Sequence, residues 1–151
     1  MYSLVLLLHS WVRWAALAAG IGATAAAMSA TGASGGRHAG RWGLAFVTIV
    51  DIQLLLGLLL YLALSPFTTA ALRDFGAAMR NANLRFWAVE HAAAMIVAVV
   101  LVHVGRVLGR TAATPDSSRR RQMICFGLAT VLMIVATPWP GMANGRPLFR
   151  F

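Results

Sequence analysis

The chain has 151 residues, of which 60% are hydrophobic and only 11% charged, with a single cysteine and a mean hydropathy of +0.74. Soluble domains carry about 25% charged residues, so this composition excludes disorder, a disulfide scaffold and an ordinary soluble enzyme, and leaves an integral membrane protein. The net charge of +9 comes entirely from arginine. Most of the arginines flank apolar runs, so membrane topology and lipid headgroups explain them and nucleic acid does not.

Four apolar runs set the expected architecture: an all-α, four-helix transmembrane bundle of up-down topology forming one domain over residues 1–151. The first run covers about residues 4–28. An Ala-rich stretch at its end looks like a signal-peptide cleavage site, but no basic segment precedes the run and Arg13 interrupts it. A retained span is expected. Its many Ala and Gly residues are packing surface, since small residues let helices approach closely in lipid. Residues 31–41 are Gly- and Ser-rich and read as a flexible loop. The second run covers about 44–64. Ser65-Pro66 is then a helix start. Phe67, Ala71, Phe75 and Met79 recur at every fourth position, which predicts a short amphipathic helix over about 66–80. It lies in the membrane interface or caps the bundle. The third run covers about 86–108 and the fourth about 123–139, each near the length that crosses about 30 Å of hydrocarbon.

Four spans put both termini on one side. Arg73, Arg80, Arg85, Arg146 and Arg150 fall on that side. Arg37, Arg41, Arg106, Arg110, Arg119, Arg120 and Arg121 fall on the other. The excess puts the second group on the cytoplasmic side, with the termini outside.

The residues that cost most in lipid carry the functional reading: His9, Arg13, Asp51, Glu90, His91 and His103. His9 and His91 each lie five residues into a span that starts on the terminal side, about 7.5 Å deep. Two imidazoles at matched depth on different helices can ligate a haem iron from above and below. The competing reading is a pair of histidines hydrogen-bonded in a polar core. Arg13, one turn after His9, would pair with a haem propionate or tune the potential. Trp14 would line the macrocycle edge or sit in an aromatic belt. Asp51 and His103 agree in depth near the cytoplasmic side and form a candidate buried pair or proton path, of which the packing pair is preferred. Glu90 is expected to pair with Arg85 or Arg146. No closed tetrahedral ligand set for zinc or copper appears, and Ser10 and Ser65 lie too far from Asp51 for a hydrolase triad.

Four segments carry a resemblance: His9-Ser10-Trp11-Val12-Arg13-Trp14, Asp51-Ile52-Gln53-Leu54-Leu55-Leu56-Gly57, Arg85-Phe86-Trp87-Ala88-Val89-Glu90-His91, and Pro138-Trp139-Pro140-Gly141 with Gly145-Arg146-Pro147-Leu148-Phe149. Across nearly the whole chain they resemble a small family of bacterial four-span proteins labelled cytochrome b-like. The resemblance implies one haem b with His9 and His91 as its ligands. Unlike larger b-type cytochromes, the chain has no second histidine pair. The expected function is a membrane-bound electron-transfer protein, with a quinone and other redox membrane subunits as candidate partners alongside the lipid bilayer. The alternatives are a haem-free accessory subunit of a larger membrane complex and a haem-dependent porphyrin-oxidising enzyme.

Overall fold

The computed structural model describes residues 1–149, the side chain of Ala33 excepted, and every regular element in it is helical. In chain order the helices are α1 (Tyr2–Ser29), α2 (Gly32–Leu59), three short helices α3 (Pro66–Arg73), α4 (Phe75–Arg80) and α5 (Ala82–Arg85), then α6 (His91–Arg110) and α7 (Pro115–Val135). Two wide π-helical turns interrupt them. Leu60–Leu64 extends α2, and Phe86–Glu90 leads into α6.

The long helices pack as neighbours, α1 against α2 and α7, and α6 against α7 and α2. At the centre Phe46 and Phe126 are fully buried and meet edge to face at 5.7 Å. Val50, Val102, Ala16, Ala23, Ala98 and Ala129 close around them. The Ala-rich face of α1 is therefore contact surface. At Gly20 an added Cβ would stand 2.5 Å from Thr130 Oγ1 and 2.9 Å from Phe46 Cζ, so only glycine allows this approach.

Among the described residues three helical stretches are long and apolar enough to cross a membrane: Tyr2–Ser29, Ser34–Leu64 and Ala82–Arg110. Their large apolar side chains, such as Leu55, Leu62 and Val100, remain outward and exposed, as a lipid-facing surface requires. The expected fourth span over 123–139 is not among these three. α7 begins eight residues earlier, at Pro115, takes in Arg119, Arg120 and Arg121, and stops at Val135. A capping box between Thr114 and Ser117 fixes its start.

Two local expectations are corrected. Residues 31–41 are not a loop, because α2 starts at Gly32, with only Ala30 and Thr31 between it and the end of α1. Gly32 takes φ +61, which closes this turn. Glycine lowers helix propensity by about 1 kcal/mol per residue, but here Ala39 is buried and the Arg106 guanidinium donates to the Gly40 carbonyl at 3.0 Å. The predicted single helix over 66–80 is instead broken at Asp74, whose backbone leaves the helical region and whose carboxylate accepts from the Ala77 N–H. Asn81 starts α5 in the same way. Ala71 and Ala78 are fully buried and pack in a small core with Ala88, so these helices cap the bundle end at which α6 begins.

Candidate functional site

His9, Arg13, Gln53, Gly57, Trp87 and His91 gather at the end of the bundle capped by α3 to α5. α1 supplies His9 and Arg13, α2 supplies Gln53 and Gly57, and the wide turn before α6 supplies Trp87. The Gln53 side-chain nitrogen donates to the His9 carbonyl at 3.1 Å and reaches His9 Nε2 at 3.2 Å. An amide nitrogen can only donate, so Nε2 of His9 accepts and a neutral ring carries its proton on Nδ1. That Nδ1 is buried and bonds to none of the described residues; the same holds for Gln53 Oε1 and Trp87 Nε1. Buried polar atoms are rarely left in this state. The His9 ring lies over Gly57, where an added Cβ would come within 3.2 Å of Cε1.

His91 is held in a different way. Its Nδ1 lies 2.9 Å from the Ala136 carbonyl, and a carbonyl only accepts. Nδ1 is therefore the donor, and the lone pair of Nε2 is left for a ligand. Phe86 and Trp87 flank the ring at 5.8 and 5.7 Å. The His9 and His91 rings and the Arg13 guanidinium are close enough to act on one another electrostatically. The structure thus brings His9, His91 and Arg13 together.

Trp14 serves elsewhere. Its indole N–H and the Arg13 guanidinium both donate to the Leu148 carbonyl, at 3.0 and 2.8 Å. Its ring stacks on Phe149 and meets Trp139 edge-on. The segment after α7 is thereby folded back onto α1. Arg146 in that segment lies over the Phe67 and Trp87 rings at 4.8 and 5.0 Å. Glu90 accepts from Arg85 at 2.7 Å and leaves Arg146 to the aromatic rings. Asp51 and His103 are joined at 2.8 Å, away from the histidine site.

Gln53, Gly57 and Trp87 were not singled out from the sequence as site residues. The usable signal is Gln53, a polar side chain inside an apolar run, with Gly57 one turn later on the same face. Among the described residues no three His, Cys, Asp or Glu side chains gather as a metal site. No family model, curated protein or solved structure matches the chain.

Proposed function

We propose that the chain is a four-span, up-down membrane protein that binds one haem b between His9 and His91 and passes single electrons at the outer side of a bacterial inner membrane. The observation that carries this reading is the His91 imidazole. Its Nδ1 is pinned to the Ala136 carbonyl, while Nε2 has no hydrogen bond to a described residue. A haem-ligating histidine is oriented in this way. Two further groups support the reading: a second imidazole and a guanidinium within electrostatic reach of His91 or His9. His91 would ligate directly, and His9 would exchange its Gln53 contact for the iron. Arg13 would hold a propionate, and the charge of that propionate would offset the pull of the guanidinium toward the reduced state. Phe86 and Trp87 would exclude water from the His91 side. The haem itself supplies the one-electron chemistry, with a quinone or a partner redox subunit as the exchange partner.

One observation favours a second reading. The Gln53 amide already occupies His9 Nε2, as in a histidine that only satisfies a polar core. The chain would then be a haem-free subunit of a larger membrane complex. A reduced-minus-oxidised visible spectrum of the detergent-purified protein, with pyridine haemochrome quantitation, separates the two. The cytochrome reading expects a sharp low-spin b-type band and one haem per chain. Protein without haem, expressed with ample haem supply, overturns it.

A further inference from the structure

One polar feature lies outside the histidine site. The Asp51 and His103 side chains, joined at 2.8 Å, remain 43% and 48% exposed. Asp51 lies 13 residues before the end of the stretch Ser34–Leu64, and His103 seven before the end of Ala82–Arg110. Each is therefore about 10 Å or more from an end of its span. Ionisable groups at such a depth normally face the bundle interior. This pair is instead open to the outside of α2 and α6, where hydrocarbon would be its neighbour. Arg85 and Glu90 are exposed to a similar degree, but they stand near the start of their stretch, where headgroups and water reach them.

The bonding of the pair is half complete. His103 Nε2 meets Asp51 Oδ1, whereas His103 Nδ1 and Asp51 Oδ2 bond to no described residue. In hydrocarbon the pair is least costly without net charge. Whichever of the two holds the shared proton, the neutral pair leaves an N–H donor at Nδ1 and an acceptor at Oδ2.

The surface around the pair is patterned. On α2, Leu44, Asp51, Leu55 and Leu58 follow at steps of seven, four and three residues, and on α6, Ile96, Val100, His103 and Val107 follow at steps of four, three and four. The apolar members of both rows are exposed. Heptad spacing is the seam of a helix–helix contact, and a single polar position within it fixes the register.

We propose that this face is the contact between two copies of the chain. Copies inserted the same way are related by a two-fold axis along the membrane normal. Such an axis beside the α2–α6 seam sets α2 of one copy against α6 of the other. Asp51 and His103 share a depth, so Asp51 of each copy meets the partner's His103, and the leftover donor and acceptor are both satisfied. An unrelated helix would have to supply the same two groups, whereas a second copy has them by symmetry. The inference rests on α2 and α6 spanning a membrane, and not on haem.

Förster transfer between donor- and acceptor-labelled full chains in liposomes tests this, with lipid added stepwise to dilute the protein. Transfer should follow a two-copy equilibrium. Asp51→Leu with His103→Leu should weaken association about tenfold, since two interhelical polar bonds are lost. Val100→Phe on the seam should weaken it as well, and Val131→Phe, exposed on α7, should not. The swap of Asp51→His with His103→Asp should pair with itself as tightly as the parent chain does. It should pair with the parent about tenfold less tightly, because like groups then meet across the axis. Free mixing of swapped and parent chains overturns the proposal, since the pair would then lie outside the contact. Transfer no greater than that of unassociated chains in the membrane overturns it alone. Recovery of the chain outside the membrane fraction overturns it together with the spanning reading.

Discussion

The Asp51 carboxylate and the His103 imidazole meet at 2.8 Å and tie α2 to α6, although both side chains remain nearly half exposed. Interhelical polar contacts in membranes contribute about 1 kcal/mol. Asp51→Leu should therefore lower the thermal midpoint in detergent, and Asp51→Asn should lower it less. Adding His103→Leu to Asp51→Leu should recover part of the loss, because no polar partner is then left alone. A pair that only fixes packing leaves the visible spectrum unchanged in all three variants. A changed response of the redox midpoint to pH would instead favour a proton path.

The two histidines of α6 should separate in their effect on haem. His91→Ala removes the ring whose Nε2 is available, so haem per chain should fall to near zero while membrane insertion persists. His103→Ala should keep its haem. Pyridine haemochrome quantitation decides this, and the opposite pattern would exchange the ligand assignment.

Gly57 sets the position of the His9 ring. A Cβ at 3.2 Å from Cε1 is tight enough to move that ring by a few tenths of an ångström. Gly57→Ala should retain haem but shift its midpoint potential, and Gly57→Leu should lose most of the haem. Unchanged haem content and potential in both variants would mean that His9 is not a ligand.

Glycines of α1 and α2 should respond with opposite signs. Gly20→Ala forces a Cβ against Thr130 and Phe46, and overpacking of this kind costs about 1–3 kcal/mol. Gly36→Ala meets nothing and should gain up to about 1 kcal/mol from helix propensity. Thermal unfolding of the two variants beside the parent protein checks both signs.

The apolar runs of the first three long helices were legible because lipid imposes composition and length together. The helical start of α2 was not. Gly and Ser are local signals for a loop, whereas the Arg106 bond to the Gly40 carbonyl is a contact made 66 residues away. The break at Asp74 could have been read, since a short acidic residue inside an amphipathic pattern is a ready cap. Depth arithmetic along parallel helices brought His9 and His91 to one level, but it carries no information on rotation. Rotation is what presents Gln53 to His9 and turns Trp14 toward Leu148.

The wide turns in the chains of α2 and α6 are linked, since Tyr61 in the first donates to the Ala88 carbonyl in the second at 2.8 Å. A π turn holds one residue more than an α turn, and so rotates the two flanking stretches of helix by about 100° relative to one another. Tyr61 contacts the helix within this offset, and His91 faces Ala136 just beyond it. The extra residue acts as a phase adjuster between the capping helices and the histidine. A one-residue deletion within 86–90 would leave composition and hydropathy almost untouched, yet keep one of those two bonds only at the expense of the other.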